Sequence, residues 1–243
     1  MEGTPLFRTW FRLLTLRPSQ QDFDSLNSRF LEAGLLSTWA VGMGRYWDDP
    51  DAPLLQHLGL GSLVYVPLLS ALLWIIVAPL RPAAWSYRRV LTFVALTSPP
   101  ALLYAIPVER LCSLERAQAW NLAFLAVVAT WRLMLLVLFL RRSAQLSRVA
   151  TAVAVCLPSM GIIVSLVMLN LERAVFDMMG GLRHTANDGA YGVLVLLTWL
   201  SCYLILPIAI VYVVLIAFAS KRKRLESRGG TVGSSGTESA SDP

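Results

Sequence analysis

The chain has 243 residues, of which 56% are hydrophobic and only 15% charged, with a mean hydropathy of +0.60. This balance excludes an ordinary soluble globular domain and points to a membrane solvent. A net charge of +6 and an isoelectric point of about 9.6 would suit a nucleic-acid binder, but no basic face interleaved with aromatic residues supports one, and no nucleic-acid partner is expected.

Residues 6–17 read as a basic amphipathic helix. Leu6, Phe7, Trp10, Phe11, Leu13 and Leu14 share one side, and Arg8, Thr9, Arg12 and Thr15 the other. Such a helix belongs on the cytoplasmic leaflet. No apolar core with a small-residue cleavage site opens the chain, so no secretory signal is expected. Residues 30–47 have a short apolar centre containing Glu32, Gly34, Gly42 and Gly44, which suits a marginal sixth helix or a re-entrant segment.

A polar cluster follows, Arg45-Tyr46-Trp47-Asp48-Asp49-Pro50-Asp51 and then His57. Together with Glu109, Glu115, Asp177, His184, Asn187 and Asp188 it would line the noncytoplasmic face. Carboxylates with histidine could hold a divalent metal or build a hydrolytic centre, as could Cys112 with His184. The spacing matches no metal motif, however, and loops at an interface are polar in any case. No metal, cofactor or catalytic residue is therefore expected. Tyr46 and Trp47 read as interface anchors. Arg45, Asp48 and Asp49 remain candidate functional residues.

Five apolar runs come next, at residues 58–80, 90–108, 120–140, 149–171 and 191–220. Each has the roughly 17 to 25 residues that a helix needs to cross a hydrocarbon core. Lipid cannot satisfy open backbone groups, so these spans are expected to be helices packed as one bundle. Two runs carry oddities. In the second, Thr97-Ser98-Pro99-Pro100 removes backbone donors and predicts a break, with carbonyls near Val94 to Leu96 losing their partners. Broken helices present substrate sites in transporters, and they also occur as plain kinks. In the third, Arg132 lies near mid-depth, where a charge costs about 2.5 to 3.5 kcal/mol. It either pairs, with Glu172, Asp177 or Glu109 as candidate partners, or snorkels to the interface. Pro158 and Pro207 are weaker helix signals, and Gly161 with Ser165 makes a small-residue step suited to close helix packing. Cys112, Cys156 and Cys202 match no zinc or disulfide framework and read as packing residues.

After residue 220 the composition turns to Gly, Ser, Thr, Glu and Asp, which cannot bury enough surface to fold. The expected organisation is a basic amphipathic segment at 1–29, a transmembrane helical domain at 30–220 and a disordered cytoplasmic tail at 221–243.

Charge orients the bundle. Arg81, Arg88 and Arg89 follow the first run, and Arg141, Arg142 and Arg148 the third; Lys221, Arg222, Lys223, Arg224 and Arg228, against Glu226, follow the fifth. That face sums to +10. On the other, Glu109 and Glu115 cancel Arg110 and Arg116; Glu172, Asp177 and Asp188 exceed Arg173 and Arg183; and Asp48, Asp49 and Asp51 exceed Arg45, leaving −3. The positive-inside rule places the basic face in the cytoplasm, against anionic headgroups. Five crossings would then put the N-terminal helix outside, whereas a sixth at residues 30–47 would bring both termini inside.

The stretch Gly42-Met43-Gly44-Arg45-Tyr46-Trp47-Asp48-Asp49-Pro50, with Leu58-Gly59-Leu60-Gly61-Ser62 and the Thr97-Ser98-Pro99-Pro100 break, resembles a group of uncharacterised bacterial inner-membrane proteins. Their general plan is similar to the Yip1 type, a polar N-terminal region followed by five spans. The resemblance implies a role in membrane organisation without catalytic residues, and a C-terminus across the membrane from the N-terminus. The expectation is an all-α polytopic transmembrane helix bundle with five firm spans, multi-pass in the bacterial cytoplasmic membrane. It would act as a nonenzymatic scaffold or interaction protein, with membrane lipids, membrane-protein partners or further copies of itself as partners. The alternative is a small transporter or ion conduit using the Pro99-Pro100 break and Arg132.

Overall fold

A computed structural model describes residues 5–46, 54–169 and 188–232, and every regular element among them is helical. In chain order these are α1 (Pro5–Leu14), α2 (Gln20–Asp24), α3 (Ser28–Tyr46), α4 (Leu54–His57) and α5 (Leu60–Val77), which tightens into a 3-10 turn at Ala78–Leu80. Then come α6 (Tyr87–Leu96), a 3-10 helix at Pro99–Ala105, α7 (Val108–Leu111), α8 (Leu114–Arg142), α9 (Arg148–Met168) and α10 (Asp188–Val232). Helix α10 thus continues beyond residue 220; residues 233–243 lie outside the described residues.

Among the described residues, four helical segments are long and apolar enough to cross a membrane: Leu60–Leu80, Ala119–Arg142, Arg148–Met168 and Val195–Lys221. The expectation of five firm spans is corrected to four. The expected second span, residues 90–108, is not one helix. Pro99 and Pro100 end α6 at Leu96, and the chain resumes as a 3-10 helix from Pro99.

The broken run nevertheless carries the chain from one end of the bundle to the other. The Ala83 N–H donates to the Ala144 carbonyl at 3.0 Å, so α5 and α8 finish side by side at the same, basic end. The chain between them must therefore return. Ten residues of α-helix rise about 15 Å and seven of 3-10 helix about 14 Å, together close to the ~30 Å of a hydrocarbon core.

Residues expected to be a marginal or re-entrant segment form α3, one continuous helix of 19 residues. It lies along the whole broken run. At the basic end Arg88, near the start of α6, donates to the Ser28 hydroxyl; midway, Thr38 meets Ser98; near the far end, Gly44 lies against Ala105. Gly34, Thr38 and Gly42 recur every four residues and so share the face that makes this approach. A Cβ on Gly34 would stand 2.9 Å from Ala95 Cβ and 3.0 Å from the Ala95 backbone, and one on Gly42 would stand 2.7 Å from Ser62 Oγ. Gly59, which caps the start of α5 at φ 67°, has the Met43 amide where a side chain would begin, so both conformation and space call for glycine.

The N-terminal segment packs against the bundle through Leu13 and Phe23, while Phe7 and Phe11 of α1 stay exposed. Leu13 and Phe23 are fully buried in a core with Val90, Phe93, Phe139 and Leu140. The Phe93 and Phe139 rings stack at 4.1 Å, and Phe23 meets Phe139 edge-on at 5.4 Å, a geometry that suits the ring quadrupoles. Between α1 and α2, Ser19 and Asp22 form a reciprocal capping box, the Asp22 carboxylate accepting from the Ser19 N–H at 2.7 Å. Burial pushes the Asp22 pKa up. The Ser19 amide and hydroxyl, the Arg12 guanidinium and the Thr9 hydroxyl together outweigh it and hold the carboxyl below its usual 3.8.

Two outcomes follow from this packing. Gly34→Ala should lower the stability of the detergent-solubilised protein by about 1–3 kcal/mol, because the new methyl meets Ala95 backbone that cannot move aside; an unchanged melting temperature would contradict the close approach. Asp22→Asn should destabilise the protein at neutral pH. Because the folded carboxyl titrates below the unfolded one, its contribution is present above the ordinary carboxylate range and is lost as pH falls through the depressed value, so the gap between wild type and variant closes in acid. Melting curves across pH check the sign.

Candidate functional site

An α-helical carbonyl accepts from the N–H four residues on, so prolines at 99 and 100 deprive the carbonyls of Ala95 and Leu96 of their donors. The Thr97 carbonyl loses its donor as well, because the Ala101 N–H bonds instead to Ser98 at 2.9 Å. The Leu96 and Thr97 carbonyls thus need partners in an apolar bundle, where an unmade bond costs about 1–3 kcal/mol, while the Ala95 carbonyl keeps only a long bond from the Ser98 N–H at 3.4 Å.

Each finds one, and the donors come from several parts of the chain. The Ala95 carbonyl accepts from Ser98 Oγ at 2.9 Å, and Thr38 Oγ1, on α3, lies 3.3 Å from it while sharing its one proton with the nearer Gly34 carbonyl at 2.9 Å. The Leu96 carbonyl accepts from Trp10 Nε1, on α1, at 3.1 Å. Arg132 Nε, on α8, donates to the Thr97 carbonyl at 3.3 Å. Thr97 Oγ1 turns back to the Val94 carbonyl at 2.7 Å, which closes the last turn of α6. Thr38, Thr97 and Ser98 are all buried.

The two oddities of the sequence are therefore one site. Arg132 lies ten residues before Arg142, about 15 Å along α8 from the basic end, and Thr97 ends a helix of about the same length that starts there. Arg132 is half-buried and points its positive charge at the negative end of the α6 dipole, a favourable arrangement that adds to the hydrogen bond. The expected acidic partners do not test the pairing: Glu172 and Asp177 lie outside the described residues, and the Glu109 side chain is likewise not described. Among the described residues the ion pairs are Arg12 with Asp22, within the N-terminal segment, and Arg89 with Asp24, which joins that segment to α6.

No family model, curated protein or solved structure matches this chain. The remaining candidates are placed by the fold alone. Pro99 and Pro100 open the 3-10 helix, and Arg45 belongs to the last turn of α3. Asp48 and Asp49 lie outside the described residues, as do His184 and Asn187. Among the described residues no three His, Cys, Asp or Glu side chains gather as a metal site, and the three cysteines are free.

Trp10 and Thr38 are the residues that sequence reading missed. Trp10 counted only as part of an apolar face, although its indole N–H is a donor that a buried face must satisfy. Thr38 shows itself only through its spacing from Gly34 and Gly42. Chemically the constellation is a helix-end cap made of neutral donors and one guanidinium, with no nucleophile or acid–base pair among them.

Arg132→Leu removes a cost of insertion but orphans the Thr97 carbonyl. The variant should therefore insert at least as well as wild type and yet melt earlier, by the equivalent of about 1–3 kcal/mol. Arg132→Lys, which keeps a donor and a charge, should fall between them. Equal melting temperatures for Leu and wild type would refute the capping role.

Proposed function

We propose that this chain is a multi-pass protein of the cytoplasmic membrane that crosses it six times and acts as a nonenzymatic scaffold or interaction protein. The observation that carries this reading is the sealed helix break. Pro99 and Pro100 strip donors from the end of α6, and protein side chains reach the Ala95, Leu96 and Thr97 carbonyls there, Arg132 among them. A transporter that used the break would leave those carbonyls available to substrate. Here they hold α1, α3, α6 and α8 together.

The six crossings are α3, α5, α6 with its 3-10 continuation, α8, α9 and the apolar part of α10. Their ends support the count. Helices α5 and α8 finish at the basic end, α6 and α9 start there, and α3 begins beside Arg88. Alternation then leaves both chain ends on the basic side, which the positive-inside rule assigns to the cytoplasm. This removes the conflict between a cytoplasmic amphipathic helix and a cytoplasmic tail. The organising role implied by the Yip1 likeness fits the same reading, with a different side for the C-terminus. Anionic headgroups, other membrane proteins and further copies of the chain are the partners it would have.

Reporters fused after Arg17 and after Arg228 should both give cytoplasmic signals, and one after Asp51 a noncytoplasmic signal. A noncytoplasmic signal after Arg228 would overturn the six-crossing plan. Reconstituted in liposomes or planar bilayers, the protein should pass neither ions nor small solutes. A flux or current that Arg132→Leu abolishes would instead establish the conduit.

A further inference from the structure

At the basic end, the turn between α2 and α3 and the start of α6 enclose a cleft of about 390 Å³. Its polar lining includes Asp24, Asn27, Ser28, Ser86, Arg88 and Arg89. Arg88 reaches across it to the Ser28 hydroxyl, and Arg89 reaches across it to the Asp24 carboxylate. The two cations are not equally committed. The Arg89 side chain is only 14% exposed, donates to the Ala84 carbonyl at 3.4 Å, and keeps Nε buried with no acceptor. Asp24, its counter-ion, is 53% exposed and has no second cationic partner among the described residues. Arg88, itself exposed, is held by a neutral hydroxyl, which leaves its charge uncompensated.

The level of the cleft selects its occupant. The apolar part of α5 ends at Leu80, that of α8 ends at Arg142 and that of α9 begins at Arg148, and the Ala83–Ala144 hydrogen bond ties these ends together. The cleft borders Ala84 and Ser86, just beyond that boundary. Tyr87 next to it packs edge-on against Trp74 at 6.3 Å, an aromatic pair of the kind that marks the headgroup layer. Two guanidinium forks with flanking serine hydroxyls at this depth match the oxygens of a phosphate, which arginine binds through paired hydrogen bonds.

We propose that this cleft binds the phosphate of an anionic phospholipid headgroup between Arg88 and Arg89, with Asp24 as the internal competitor that the phosphate displaces from Arg89. The inference rests on the membrane reading above and assigns that reading a specific lipid site. Asp24 sets the affinity. It compensates Arg89 while the cleft is empty, and its exposure lets it turn into solvent when a phosphate arrives.

Native mass spectrometry of the full chain in mild detergent, offered phosphatidylglycerol and phosphatidylcholine together, tests the site. Wild type should retain one phosphatidylglycerol in preference to phosphatidylcholine. Arg88→Gln with Arg89→Gln should lower that retention about tenfold, the equivalent of one lost charge-assisted hydrogen bond. Asp24→Asn, which leaves the arginines in place and removes the competitor, should raise it. Arg141→Gln, an exposed arginine outside the cleft, should match wild type. Retention unchanged in the double variant, or lowered by Asp24→Asn, would overturn the proposal, as would displacement of the lipid by inorganic phosphate, which would make free phosphate the ligand. Carbonate extraction of the membranes from which the protein is purified separates the two failures. A protein that stays in the membrane but shows no preference for phosphatidylglycerol loses only the site, whereas one released by carbonate loses the membrane reading with it.

Discussion

Inside an apolar bundle a backbone carbonyl has no water to fall back on, and the break at two consecutive prolines leaves those of Leu96 and Thr97 without a backbone donor at one level of this chain. The remedy shapes much of the molecule. A tryptophan from α1, a threonine from α3 and an arginine from α8 converge on the end of α6, each at 3.1 to 3.3 Å from a carbonyl. Helices brought together by such bonds are positioned more sharply than helices sharing only apolar surface, since a hydrogen bond fixes depth and rotation along with distance. The break also explains how Arg132 is tolerated. Its charge faces the negative end of a helix dipole and a carbonyl that would otherwise be unpaired.

The close fit of α3 makes this convergence geometrically possible. Without side chains at Gly34 and Gly42 the helix backbone comes near enough to Ala95 and Ser62 for Thr38 to reach the broken turn. One side of α3 is thus used up by small residues, which leaves it less apolar than the four clearly membrane-length helices. The basic end is organised by a second set of contacts. Arg89 with Asp24, Arg88 with Ser28 and Arg142 with the Pro18 carbonyl fasten the N-terminal segment over the aromatic core of Phe23, Phe93 and Phe139. The same arginines that would orient the chain in a membrane therefore also hold α1, α2 and the start of α3 in place.

Much of the helical content was legible in residue order because a long apolar run has one stable backbone form in lipid. Four of the five expected spans are single helices, and the exception failed for a visible reason. Apolarity averaged over residues 90–108 takes no account of two missing amide hydrogens, while the expected loss of partners near Val94 to Leu96 does; the structure places it at Leu96 and Thr97. Arg132 and Pro99-Pro100 each stood out alone. Their union did not, because they are 35 residues apart and the bond joins a side chain to a carbonyl, a pairing that residue types do not specify. The polar cluster at Arg45, Asp48 and Asp49 stood out too, but the fold does not bring Arg45 to the break.

By itself, the sequence determined the all-helical class, the four long apolar helices, the place of the break and the basic end of the bundle. These follow from local causes: run length, absent amide hydrogens and the position of charges. The tertiary structure alone decided that α3 runs beside the broken helix, that Trp10 and Thr38 serve as caps, and that Arg132 satisfies a carbonyl rather than a described carboxylate. Each of those outcomes depends on which distant donor lies within about 3 Å of an orphaned acceptor. That distance is fixed by how closely helices pack, and glycines at 34 and 42 control it here.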